Sequence, residues 1–244
     1  MPTVAELSAP FANFMLGPRR GPDVCARCFD LTDGFGHCSA CARNWRFLEA
    51  MVPISYSVSD GQMHHALASY KRLVGVSARR LTLGLAAVLW RHLASHEGCL
   101  ARVAGVDAFS VVTTVPSSSP DRDVDHRLRE LAGLVTPLNG RYERVLRRSA
   151  APAASHQLCV DKYAPLRDLT GQTVLLIDDT WTRGANAQSA AAALKAAGAE
   201  AVGAVVIGRY VNRSWRHNER HLRDLAQPFD WQRCALCADP VGAG

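Results

Sequence analysis

The segment Val174-Leu-Leu-Ile-Asp178-Asp179-Thr180-Trp181-Thr182-Arg183-Gly184-Ala185-Asn186 decides the fold. It joins an apolar run, Thr173 to Ile177, to an Ala-rich stretch, Ala187 to Ala197, and a second apolar run follows at Ala201 to Ile207. Apolar runs on either side of a helical stretch predict a β-loop-α-β unit with parallel strands and a right-handed crossover. Gly198 stands where it would end the helix. We therefore predict an α/β domain whose parallel sheet is flanked by helices.

The chain before this unit supplies further elements of the same kind. Two strands are predicted, at Ile54 to Val58 and at Phe109 to Val115, and Pro116 ends the second. Helical spacing of apolar residues predicts helices at three places, which are His64 to Arg72, Ala78 to His96 and Val124 to Leu134.

Composition and charge indicate an ordinary globular protein. The chain has 244 residues, of which 48% are hydrophobic and 20% charged, and this suits one α/β domain with a small appendage. Met1 to Phe14 lacks a basic region before an apolar core, and the longest apolar run, Leu81 to Trp90, is too short to cross a bilayer. We expect a cytoplasmic protein without membrane insertion. The net charge of +6 suits a phosphorylated metabolite or a nucleic acid and does not separate the two.

Two adjacent carboxylates, Asp178 and Asp179, follow the strand at the edge where open α/β sheets bind ligands. Because neighbouring aspartates repel each other, this position favours a partner such as vicinal ribose hydroxyls or hydrated Mg²⁺. The next residues, Thr182 to Asn186, offer hydroxyls, a small Gly184 and backbone N–H groups at a helix N-terminus, which suit a phosphate. The segment predicts a site for a 5-phosphorylated ribose. The alternative is that the two aspartates simply end the strand and cap the helix.

The thirteen residues from Val174 to Asn186 resemble the phosphoribosyl pyrophosphate (PRPP) signature of type I phosphoribosyltransferases. Arg183 and Asn186 depart from it, since that family usually has threonine at both positions. The whole chain resembles the ComF family, bacterial phosphoribosyltransferase-like proteins associated with competence for DNA uptake. The features that carry this resemblance come in the family's order, and they are Cys25-x-x-Cys28, Tyr70-Lys71, Val112 to Pro116, Gln157 and Asp178 to Asn186.

The resemblance implies a type I phosphoribosyltransferase fold with PRPP and Mg²⁺ as ligands. It assigns the catalytic carboxylates to Asp178 and Asp179. The implied contacts to PRPP or its phosphates are Lys71, Ser117, Arg122, Thr180, Thr182, Arg183, Gly184, Ala185 and Asn186. The family's pyrophosphate stretch is replaced by Val124 to Leu128, so Ser118 and Ser119 join these candidates. Lys71 has an ordinary alternative as a surface lysine.

Two hypotheses about function stay open. The first is a Mg-dependent phosphoribosyltransferase of the ComF type, whose acceptor no motif reveals. The second is a catalytically degenerate module that binds PRPP, a nucleotide or single-stranded DNA, with competence proteins as partners, in DNA uptake or regulation. The departures at Arg183 and Asn186 and the altered loop near Arg122 favour the second. Arg147 and Arg148 precede an Ala/Pro/Ser stretch that is a candidate mobile loop over PRPP, or they are plain solvated charges.

The cysteines predict a metal-binding module. Cys25-x2-Cys28-x9-Cys38-x2-Cys41 has the spacing of a four-thiolate zinc knuckle or ribbon. A module this small has little core of its own, so Zn²⁺ would supply most of its folding energy. We predict a zinc module over 1–52, a phosphoribosyltransferase-like domain over 53–215 and a tail over 216–244.

The remaining cysteines have no such pattern. Cys234-x-x-Cys237 in the tail is half of a second metal site, a redox dithiol or a pair of capping sulfurs. Cys99 and Cys159 are expected to be small buried hydrophobic residues.

Overall fold

The computed structural model describes residues 2–117, 126–151 and 157–237. The helices are α1 (Val4–Ala12), α2 (Ser39–Asn44), α3 (Gln62–Ser69), α4 (Gly75–Ala104), α5 (Arg127–Gly133), α6 (Ala185–Ala196) and α7 (Asn218–Asp224). The strands are β1 (Ala50–Val58), β2 (Val111–Thr114), β3 (Leu146–Arg148), β4 (Tyr163–Pro165), β5 (Thr173–Trp181) and β6 (Ala201–Val211).

Four strands form a parallel sheet in the order β1-β6-β5-β2. The predicted β-loop-α-β unit is confirmed as β5, α6 and β6, in which Ile177 pairs with Val205. The α/β class with a parallel sheet flanked by helices is confirmed as well.

The sheet is buried on both faces, as its unbroken apolar strands require. Leu175 and Ile177 of β5 pack on the face that α3, α4 and α5 cover. Val174 and Leu176 point to the other face, against α6 and the N-terminal cysteines. The alternation of side chains along β5 therefore separates two helical layers.

The structure extends β1 beyond its predicted bounds. The strand begins at Ala50 and includes Pro53, which pairs with Val206 of β6. Among the described strands β1 has β6 as its one parallel partner, so Pro53 can lie in this edge strand without leaving a ladder hydrogen bond unmade.

Several elements were not predicted. Helix α1 packs on α4, where Phe11 lies against Gly84. The antiparallel hairpin of β3 and β4 precedes β5, and α7 follows β6. None of the described helices combines the length and the apolarity needed to span a membrane.

A matched pair of glycine substitutions tests the packing of the sheet. A Cβ on Gly203 of β6 would lie 2.5 Å from Cζ of Phe109, so Gly203→Ala is expected to lower the free energy of unfolding by about 1–3 kcal/mol. Gly98 lies in the exposed face of α4, with no described atom within 4 Å of such a Cβ. Gly98→Ala is expected to raise the free energy of unfolding by about 0.5–1 kcal/mol. Urea unfolding of both variants measures the difference, and equal effects would contradict the packing of β6.

Candidate functional site

The candidate site lies where β5 extends beyond the end of its neighbour β2. The last pair between these strands joins Thr114 to Ile177, whereas β5 continues to pair with β6 as far as Trp181 and Arg209. A gap therefore opens beside the final residues of β5. Helix α5, which follows β2, lies on one face of the sheet, and α6, which follows β5, lies on the other. Such a topological switch point is where open parallel sheets bind ligands.

A cleft of about 360 Å³ occupies this gap, and we call it the carboxylate cleft. The predicted site residues that line it are Lys71, Ser117, Asp178, Asp179, Thr180, Thr182 and Asn186. The other lining residues are Tyr70, Val115, Pro116, His126, Arg127 and Leu128. Arg183, Gly184 and Ala185 line a small adjoining hollow instead. Ser118, Ser119 and Arg122 lie outside the described residues.

The carboxylate of Asp179 is buried and held by two neighbours from the end of α3. The hydroxyl of Tyr70 donates to its Oδ2, and Nζ of Lys71 lies 2.5 Å from the same oxygen. Burial, and then the charge of Asp179, raises the pKa of Tyr70 well above its ordinary value, so this hydroxyl remains a donor. The Lys71 side chain is 47% exposed, and its ammonium group lies in the cleft rather than on an unrelated surface.

Asp178 is less constrained than its neighbour. Its Oδ1 accepts a hydrogen bond of 2.9 Å from the backbone N–H of Asp179. Burial, and then the charge of Asp179, raises the pKa of Asp178 to about 8, against the opposing effects of Lys71 and Lys162. The interpretation of the two aspartates as helix caps is wrong, because the N-cap residue of α6 is Gly184.

The loop between β5 and α6 requires a glycine. Gly184 has φ +76°, and a Cβ there would lie 2.1 Å from Cζ2 of Trp181. No described side chain caps the N-terminus of α6, and the first N–H groups of a helix have no intrahelical partner. A hollow of about 20 Å³, lined by residues 180–187 and Asp178, lies at this helix end. That hollow combines free backbone donors with the positive end of a helix, which suits an anionic oxygen.

Lys162 is a site residue that the sequence analysis missed. It lies in the short turn Val160–Lys162 before β4 and is 2% exposed. Its Nζ donates to Oδ1 of Asn186 over 2.6 Å. Burial, and then the nearby Arg148, lowers the pKa of Lys162, while Asp178 raises it. A lone lysine in an irregular segment carries no sequence signal, and the hairpin of β3 and β4 brings it to the loop.

Arg148 is tied to this hairpin. Its guanidinium donates to the carbonyls of Ser149, Ala151 and Lys162. This side chain therefore holds the backbone around Lys162. The sequence analysis considered Arg148 as part of a mobile loop or as a solvated charge, and neither alternative included this role. Residues 152–156 of the Ala/Pro/Ser stretch lie outside the described residues.

The N-terminal cysteines converge as predicted. The four sulfurs of Cys25, Cys28, Cys38 and Cys41 lie within 4.8 Å of one another and are buried. Hydrogen bonding to the neighbouring sulfurs, that of Cys25 first, and burial raise the pKa of Cys41. Four packed thiolates need a cation to offset their repulsion, and a tetrahedral Zn²⁺ fits this donor set. The group could hold a structural metal such as zinc.

The cysteine module is docked on the loop end of the sheet. Arg209 of β6 donates to the carbonyl of Cys28 over 2.9 Å and to that of Trp181 over 3.3 Å. The rings of Trp181 and Trp45 lie 6.0 Å apart. Trp181 therefore separates the module from Gly184, and the module supports the loop of the carboxylate cleft.

Cys234 and Cys237 approach α4 rather than the sulfurs of this module. With His96 and Cys99 they form a second group that could hold a metal. Cys99 is therefore not the simple buried hydrophobic residue that was expected. Cys159 is partly buried, and its N–H donates to Oγ of Ser189.

The chain matches no model of a known protein family and no curated protein. The comparisons identify no family, and the resemblance to ComF proteins stays a prediction. The function is inferred below from the chemistry and geometry of the carboxylate cleft.

The raised pKa of Asp178 predicts a pH-dependent stability. Because the folded state holds the proton more tightly than the unfolded state, the stability falls as the pH rises from about 4 toward 8. Asp178→Asn imitates the protonated side chain and is expected to unfold at a higher temperature than the wild type at pH 8. The advantage should shrink toward zero near pH 4. Thermal unfolding from pH 4 to pH 8 measures this difference in unfolding temperature. A difference that does not change with pH would contradict the raised pKa of Asp178.

Proposed function

We propose that the chain binds PRPP, or another ribose 5-phosphate, in the carboxylate cleft and acts as a Mg-dependent phosphoribosyltransferase of the ComF type, with a type I fold. One observation carries the proposal. Two carboxylates and an uncapped helix N-terminus lie side by side at the switch point of a parallel sheet. This juxtaposition pairs acceptors for sugar hydroxyls with donors for a terminal phosphate.

The carboxylates suit the ribose ring. Vicinal hydroxyls are donors, and Asp178 lines the cleft while its Oδ1 accepts from a backbone N–H. Asp179 is already held by Tyr70 and Lys71, so it is preorganised and needs little rearrangement on binding. The negative charge of Asp179, and that of Asp178 once a cation favours its ionised form, would also support positive charge that develops on the ribose during transfer.

The loop suits the 5-phosphate. Thr182 and the first N–H groups of α6 line the hollow beside the cleft. Asn186, which departs from the family signature, is oriented by the ammonium group of Lys162. A buried lysine at this point supplies a positive charge that the family's threonine at this position lacks. The departure at Asn186 is thus compensated by a cation from another part of the chain.

Asp178 and Asp179 are the residues that would hold Mg²⁺ together with the ligand. The close approach of two carboxylates, one with a pKa of about 8, favours a partner that brings positive charge. When bound, Mg²⁺ would neutralise the pyrophosphate leaving group. The acceptor of the phosphoribosyl group stays open.

Calorimetry with Mg-PRPP tests the ligand. The wild type is expected to bind, and Asp178→Asn/Asp179→Asn is expected to bind at least ~10-fold more weakly, because each substitution removes charge-assisted hydrogen bonds worth about 1.5–3 kcal/mol. Lys162→Met should also weaken binding, since it removes the ammonium group that orients the side chain of Asn186.

A matched variant controls for general charge effects. Asp168 is an exposed aspartate that accepts from Thr170 outside the cleft, so Asp168→Asn should leave the affinity unchanged. No binding heat for the wild type at millimolar Mg-PRPP would refute the proposal. Binding without pyrophosphate release for any base or amine acceptor would support the degenerate binding module instead of the enzyme.

A further inference from the structure

The C-terminal segment 225–237, which we call the tail segment, packs back on the helix α4. The guanidinium of Arg91 lies 3.9 Å from the ring centroid of Trp231. The same guanidinium donates to Oγ of Ser8 in α1 over 3.2 Å. Phe229 contacts Trp231 edge to face. The tail segment is thus part of the folded body, although it lacks a regular helix or strand.

Four side chains capable of metal binding meet where the tail segment touches α4. We call them the tail cluster, and they are His96, Cys99, Cys234 and Cys237. Their donor atoms all lie within 4.8 Å of one another. Nδ1 of His96 lies 3.9 Å from Sγ of Cys99 and 3.8 Å from Sγ of Cys237. In a tetrahedral zinc site, with bonds of about 2.0–2.3 Å, donor atoms lie roughly 3.5–3.8 Å apart.

The imidazole of His96 is oriented for a metal. Its Nε2 lies 3.0 Å from the carbonyl oxygen of Trp231, which accepts a hydrogen bond from Nε2–H. This contact places the proton on Nε2 and leaves the lone pair of Nδ1 directed at the sulfurs. Metal-binding histidines use such a backbone or carboxylate partner to fix the tautomer and the ring orientation.

The backbone around the two tail cysteines folds into a tight turn that contacts both sulfurs. The N–H of Leu236 donates to Sγ of Cys234, and the N–H of Cys234 donates to Sγ of Cys237. These two contacts hold both sulfurs on the same side of the turn. Cys-x-x-Cys turns in zinc sites present two sulfurs from one bend, and α4 supplies the other two ligands one turn apart.

We propose that the tail cluster binds one zinc ion, and that this ion fastens the tail segment to α4. Three sulfurs and one imidazole nitrogen form a closed tetrahedral set, typical of a structural rather than a catalytic zinc site. Soft thiolates select zinc over the hard Mg²⁺ proposed for the carboxylate cleft. The tail cluster does not line that cleft, so its role is independent of the function proposed there.

The alternatives for the tail cysteines account for less of the geometry. A redox dithiol needs Cys234 and Cys237 alone and gives no reason for His96 and Cys99 to converge on them. Capping sulfurs likewise need no imidazole. A metal uses all four donors, and it also explains why an irregular segment is held against a helix far away in sequence.

Zinc stoichiometry of the full chain tests the proposal. The wild type, purified with zinc present, is expected to hold two zinc ions per chain, one in each cysteine group. Cys234→Ser/Cys237→Ser should hold one, and trypsin should then cut at Arg233 faster than in the wild type. Cys159→Ser is the matched control, because Cys159 lies outside both groups, and it should keep both ions and the slow cleavage.

A second readout identifies the ligands and guards against misfolding. In the cobalt-substituted chain, His96→Ala should change the visible spectrum of the tail site and leave that of the four-cysteine site intact. Retention of the N-terminal ion shows that the variants fold. One zinc per wild-type chain, with tail cysteines that iodoacetamide modifies equally fast with and without zinc, would overturn the proposal. A disulfide between two of the tail cluster's cysteines in the wild type would overturn it too.

Discussion

The unequal lengths of β2 and β5 are the constraint on which the site depends. Thr114 is the last residue of β2, whereas β5 runs on to Trp181 and, among the described strands, pairs there with β6. A longer β2 would cover Asp178 with a neighbouring backbone, and no cleft would form. The helices α5 and α6 then leave toward opposite faces of the sheet, so neither fills the gap. Strand length and crossover direction therefore create the cavity before any side chain shapes it.

Charge is balanced in the cleft by residues from separate parts of the chain. Asp179 is offset by Lys71 at the end of α3, while Lys162 approaches Asp178 and Asn186 from the hairpin side. The two carboxylates thus experience different surroundings, one compensated and one with a raised pKa. Paired acids held in this uneven way are costly for folding and are typical of functional sites. The arrangement gives a physical reason to place ligand binding here rather than at another edge of the sheet.

Local sequence patterns predicted the parts of the structure that depend on neighbours in the chain. The apolar runs around Asp178 predicted β5, α6 and β6, because periodicity is a local property. The strand predicted at Ile54 to Val58 was too short, since an edge position that tolerates Pro53 is set by the whole sheet. Lys162 and His96 were missed because tertiary folding alone brings them to their partners. Helix α1 did carry a signal, the capping box that joins Thr3 to Glu6.

One indole links two parts of this molecule that sequence alone keeps apart. The ring of Trp181 lies against Gly184 on the side of the loop and near Trp45 on the side of the cysteine module. Because one rigid ring fills both spaces, a smaller side chain at position 181 would leave a cavity beside the loop and another beside the module.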